Sequence, residues 1–84
     1  MRVRGDNTLV LMLDPDLPVP LWQQLVADLR ARIDSGEWTV RVPSIKTLAQ
    51  EYETSHRTVE TALNALKNQG VIVPVVGKGY FVKK

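Results

Sequence analysis

Residues 43–70 read PSIKTLAQEYETSHRTVETALNALKNQG. Pro43 and Ser44 open a helix, since a serine hydroxyl accepts from the free N–H groups of a first turn. Ile45, Leu48, Ala49 and Tyr52 then recur at i, i+3, i+4 and i+7, the spacing of a single apolar face. This predicts a helix of about two turns, too short to persist without tertiary packing. Glu53-Thr54-Ser55 interrupts the pattern, and Ser55 or Thr54 offers a second cap. Val59, Ala62, Leu63 and Leu66 form the stripe of a further helix, closed by Gly70. Two helices joined by a turn of three or four residues are a helix-turn-helix.

Downstream, Val71 to Val76 has strand composition, Gly77-Lys78-Gly79 reads as a turn, and Tyr80-Phe81-Val82 as the returning strand. Pro74 has no N–H for a ladder, so its nitrogen should face an edge or solvent. Upstream, Trp22, Leu25, Val26, Leu29 and Ile33 give an amphipathic helix from Pro20 to Ser35, with Pro20 as its first residue and Gly36 past its end. Trp22, Leu25, Leu29, Leu48, Val59, Leu63 and Leu66 are the predicted core. Glu37 to Val42 reads as a brief strand. Asp14 to Pro20 holds three prolines and reads as an extended lead-in. The predicted order is helix, short strand, helix, helix, hairpin, which is a winged helix-turn-helix: mainly α with a small β-hairpin. Residues 14–84 form that domain and residues 1–13 an N-terminal arm. Within the arm, Thr8 to Leu13 reads as a short strand with apolar residues on both faces, more than one intramolecular surface needs. That predicts a contribution to a homodimer contact.

With 84 residues and 9.4 kDa, there is room for one core and no deep cofactor cleft. At 44% hydrophobic and 24% charged the chain is globular rather than disordered. Without cysteine and with a single histidine it offers no disulfide framework and no ordinary zinc site, and neither metal nor cofactor is expected. The longest apolar run, Leu9 to Leu13, is too short to span a bilayer, so a cytoplasmic protein is expected. The net charge of +2 conceals an asymmetry: residues 41–84 carry seven basic and three acidic groups. Charge alone favours a solvated surface of mixed sign there, with a polyanion-binding face as the alternative.

No catalytic constellation accompanies His56, which has only Glu60 one turn on. The polar face of the helix that follows Ser55 is more informative. Opposite its apolar stripe lie Arg57, Thr61, Asn64 and Asn68. Arginine takes guanine O6 and N7 bidentately, and asparagine takes adenine in the same way. The N-terminal part of a recognition helix lies deepest in the major groove, which favours His56, Arg57, Thr58 and Thr61. Lys46 stands in the first turn of the preceding helix, where a cation opposes the dipole and is best explained by an anion beside it. Lys78, between two glycines of the hairpin, is placed to reach phosphate or minor groove. Candidate DNA-contacting residues are therefore Ser44, Lys46, Ser55, His56, Arg57, Thr58, Thr61, Asn64, Gly77 and Lys78.

The ordered set Pro20-Leu21-Trp22-Gln23-Gln24-Leu25, Val42-Pro43-Ser44 with Leu48-Ala49, Ser55-His56-Arg57-Thr58-Val59, Ala62-Leu63, Gly70-Val71-Ile72 and Gly77-Lys78-Gly79-Tyr80-Phe81-Val82 resembles the DNA-binding domain of the GntR family of bacterial transcription regulators. The resemblance covers residues 18–83. It implies sequence-specific binding of double-stranded DNA, commonly repression, by a dimer on a palindromic operator. It places a helix contact on Lys46, recognition-helix contacts on His56, Arg57 and Thr58, and wing contacts on Gly77 and Lys78. The sequence departs from the family pattern at three places. Glu60 stands where an arginine is frequent, and would orient Arg57 or accept from cytosine N4. Glu53 stands where a glycine is usual in the turn. The connector from Gly36 to Pro43 lacks the usual Pro-Pro-Gly segment. Because the chain ends after Lys84, without the family's usual C-terminal effector domain, no small-molecule effector pocket is expected in it. The alternative reading is a winged-helix protein-interaction module without DNA binding, to which Glu60 and the low net charge lend weight.

Overall fold

The computed structural model describes residues 13–83. Helix α1 spans Leu21–Asp34, α2 Ile45–Glu51 and α3 His56–Asn68; strands β1 (Ile72–Val75) and β2 (Gly79–Val82) follow. The predicted winged helix-turn-helix is the observed fold. The Thr8–Leu13 strand lies outside the described residues except for Leu13, which packs against the core.

The core is built from one face of each helix. Leu25 and Leu29 come from α1, Leu48 and Ala49 from α2, Val59, Ala62, Leu63 and Leu66 from α3. Tyr52, Val42 and Ile72 complete it, the last two supplied by segments read from sequence only as strands. Trp22 is not part of this cluster. It is on the expected face of α1 but in the first turn, and the buried residues of that helix begin one turn later at Leu25.

Two further expectations are corrected. Pro20 caps α1 rather than beginning it: its φ of −55° and ψ of 146° lie outside the helix, and its carbonyl accepts from the N–H groups of Gln23 (3.0 Å) and Gln24 (3.2 Å). The lead-in is turned, not extended. The Asp14 carboxylate accepts from the Asp16 N–H at 2.9 Å and the Asp14 carbonyl from Leu17, the local competition expected of an aspartate beside prolines. Gln24 ties this turn to α1, donating to the Asp14 and Val19 carbonyls at 2.8 Å and accepting from the Asp14 N–H at 2.9 Å.

In the wing, β1 and β2 pair antiparallel with Ile72 opposite Val82 and Pro74 opposite Tyr80. The expected Glu37–Val42 strand contracts to one bridge, Arg41 to Phe81, flanked by Val42 N–H to the Tyr80 carbonyl (3.0 Å) and Val82 N–H to the Val40 carbonyl (2.8 Å). Tyr80 thus turns its backbone polar groups toward Val42, and Pro74, on its other side, is not asked for a ladder donor. The turn falls one residue earlier than expected. Lys78 N–H bonds to the Val75 carbonyl at 2.9 Å, with Gly77 at φ 78° in the position that a type II turn reserves for glycine.

Candidate nucleic-acid interface

Three chain segments meet around a hollow of about 770 Å³. The Arg41–Ser44 connector leads into α2, whose first turn carries Ile45 and Lys46. The first turns of α3 contribute His56 and Glu60, and the wing contributes Lys78, Gly79 and Tyr80. Each side chain is held there by local chemistry. Ser44 Oγ accepts from the Thr47 N–H at 3.2 Å and donates to Thr47 Oγ1 at 3.0 Å, fixing the start of α2 under Lys46. Ser55 Oγ accepts from the Thr58 N–H at 3.1 Å and lies 2.9 Å from Thr58 Oγ1, fixing the start of α3 under His56 and Arg57. Both serines therefore do the capping work read from sequence.

The hollow brings Ser44, Lys46, His56 and Lys78 together. It does not include Ser55, Arg57, Thr58, Thr61, Asn64 or Gly77. Arg57 and Asn64 are exposed on the side of α3 away from the core, and Thr61 is half-buried, donating from its hydroxyl to the Arg57 carbonyl at 2.9 Å. Gly77 is exposed at the end of the wing. The outermost wing residue is Val76, 101% exposed, so Lys78 is set back from the tip and turned toward the hollow.

Arg41 is a residue that sequence reading missed. It lines the hollow and donates to the Lys78 carbonyl at 3.4 Å, linking the connector to the wing. Its only sequence signal was a basic residue beside the helix-opening Val42-Pro43-Ser44. Arg41, Lys46 and Lys78 give the hollow three fixed cations against one carboxylate, Glu60. The expected Arg57–Glu60 pairing is not among the ion pairs of the described residues, which join Arg30 to Asp34 and Arg32 to Glu37 and Glu51.

Those acidic groups gather at the other ends of the helices. Arg32, its side chain 12% exposed, bonds Glu37, Glu51 (3.0 Å) and the Tyr52 hydroxyl (2.9 Å), and its guanidinium lies 4.2 Å from the Trp38 ring centre. Tyr52 donates in turn to Asp28. Burial pushes the Asp28 carboxyl above its usual range, against the opposing effects of Tyr52 and Arg32. The bond from Arg32 holds Glu37 below its usual range. Lys46 and Glu51 thus mark opposite ends of α2, the first toward the basic hollow and the second toward the Arg32 cluster. Among the described residues no three metal-ligating side chains converge, and no helix is long and apolar enough to cross a membrane.

The profile of the bacterial regulatory proteins of the gntR family matches residues 21–82. The HTH-type transcriptional repressor NagR of Bacillus subtilis is 33% identical over 69 residues, 80% of this chain and 28% of that protein. YtrA from Sulfolobus acidocaldarius, a GntR-family transcription factor, superposes with a TM-score of 0.78 at 30% identity, over 89% of this chain and 81% of that one. The AraR DNA-binding domain in complex with operator ORX1 gives 0.78 at 26% identity, over 86% and 94% of the two chains. The chain spans 14%, 28% and 31% of the length of three curated relatives it matches. These three relatives are named as HTH-type transcriptional regulators or repressors.

Proposed function

The chain belongs to the gntR family of bacterial regulatory proteins, and from that membership we propose that it is the DNA-reading unit of a cytoplasmic transcription repressor. In this reading α3 enters the major groove. Arg57, Thr58, Thr61 and Asn64 face base edges, with His56 beside them at the helix start. The hollow receives one phosphodiester strand, held by Lys46, Lys78 and Arg41, while the capped starts of α2 and α3 at Ser44 and Ser55 and the wing at Gly77 fix the approach. Phosphate contacts supply affinity and register; base contacts supply sequence preference.

The observation that carries this reading is the hollow itself. Arg41 and Lys46, from the stretch that opens α2, converge there with the sequence-distant Lys78 of the wing, beside the exposed polar face of α3. Selection from a pool of random duplexes tests it. A reproducible enriched motif, bound more tightly than scrambled duplex and with affinity falling as salt rises, is expected. Failure to enrich any motif would overturn the reading in favour of a protein-interaction module.

We further assign a homodimer on a palindromic operator, with α3 and its copy spaced by roughly 34 Å, one turn of DNA. NagR, a relative, is a repressor, and two copies on one face of the duplex would occlude it. Sedimentation of the selected duplex with the protein should give two chains per duplex; one chain at saturation would contradict the dimer.

A further inference from the structure

We propose that Glu60 is a specificity-determining residue that fixes a cytosine in the recognition site. This rests on the reading of α3 as the recognition helix. The motivating observation is an exposed carboxylate placed where charge alone would not put it. Glu60 is in the second turn of α3, on the flank facing the wing, and shares its hollow with Arg41, Lys46, Lys78 and His56. A surface that only gripped phosphate would gain from neutral or basic chemistry at that point. Ion pairing within the chain does not explain it: the ion pairs of the described residues lie around Arg30 and Arg32 and do not include Glu60.

A carboxylate accepts hydrogen bonds and donates none at neutral pH. In the major groove guanine presents N7 and O6, thymine presents O4, and all three are acceptors that repel it. Adenine offers its N6 amino group, but N7 stands beside it. Cytosine offers N4–H₂ with no acceptor alongside on its own edge. A glutamate there selects cytosine in two ways, by the bond it makes and by the bases it turns away. It also holds back non-specific binding, because its charge opposes any phosphate that slides past. Affinity for random DNA is thereby exchanged for discrimination.

The test is selection from random duplexes with the wild-type chain, Glu60→Ala and Glu60→Gln, followed by affinity measurement on single-base variants of the selected site. The wild type should show an invariant C·G pair in each half-site, at the position that Glu60 faces. Glu60→Ala should lose that preference by about 5- to 150-fold, the range of one good base contact, and bind scrambled duplex more tightly than the wild type does. Glu60→Gln, which adds a donor to the acceptor, should broaden the position to cytosine or adenine, since glutamine pairs with adenine N6 and N7. Preferences unchanged in both variants would overturn the assignment while the enriched wild-type motif still upheld DNA reading. No motif with any of the three chains would instead overturn the reading on which it rests. Glu60 is exposed, and coincident melting curves would show that all three fold alike.

Discussion

A glutamate at φ 53° closes the turn between α2 and α3. Glu53 occupies the left-handed position just beyond the Tyr52 cap. Its N–H bonds to the Gln50 carbonyl at 3.3 Å, and the next N–H, of Thr54, reaches the Ala49 carbonyl at 3.0 Å. That pair of bonds is a Schellman closure, which ordinarily has glycine at its left-handed residue. A side chain in that conformation costs about 1–2 kcal/mol. Glu53→Gly should therefore raise stability by up to about 1 kcal/mol, the rest being offset by the freedom glycine gains in the unfolded chain. Chemical denaturation would read this as a higher midpoint with an unchanged slope; a lower midpoint would mean that the glutamate side chain contributes something the backbone geometry does not reveal. The sequence already marked Glu53 as a departure from the usual turn glycine. It could not reveal where Lys78 sits, because that depends on one residue of turn placement: with the turn closed by Lys78, Val76 becomes the tip and the lysine faces the hollow.

All three helices end by the same device. Gly36 after α1 and Gly70 after α3 stand at φ 86° and 78° and close bonds equivalent to those of Glu53, from Glu37 to Arg32 and from Val71 to Leu66, each 3.0 Å. Helices and their ends were legible because periodicity and capping are local: Ser44 and Ser55 cap where expected, and Val59, Ala62, Leu63 and Leu66 are all buried. Trp22 shows the limit. Periodicity fixes the face of a helix, not which turn meets a neighbour. The connector strand fared similarly, since a single bridge at Arg41 depends on wing register rather than on composition. Leu63, fully buried at the centre of α3, is the element-scale test. Leu63→Ala should cost about 2–5 kcal/mol, enough in a domain this small to lower the melting temperature sharply. An unchanged melting curve would contradict the packing of α3.

Among the described residues Arg41, Lys46 and Lys78 gather at the hollow, and Asp28, Glu37 and Glu51 gather around Arg32 and Tyr52. The cluster makes a pH-dependent contribution with two signs. Glu37, held low by Arg32, adds stability above its unfolded-state value, and that contribution is lost as pH falls through its folded value. Asp28 is held high by burial, so its contribution is present below its unfolded-state value and is lost as pH rises through the folded one. Asp28→Asn keeps an acceptor for the Tyr52 hydroxyl and removes the buried charge. Its stability relative to wild type should improve as pH rises from 3 to 7, the range in which acidic side chains ordinarily titrate; a pH-independent difference would contradict the burial argument. In the proposed reading the cations of the hollow hold the phosphates, and the outward face of α3, with Glu60 on its flank, meets the bases. The most direct measurement of that division is the affinity of wild type, Lys46→Ala and Arg57→Ala for a selected and a scrambled duplex across a salt series. Lys46→Ala should weaken both duplexes alike and flatten the salt slope by about one unit. Arg57→Ala should cost about 1–3 kcal/mol on the selected duplex and much less on the scrambled one. Equal losses on both duplexes for Arg57→Ala would contradict α3 as the element that reads sequence.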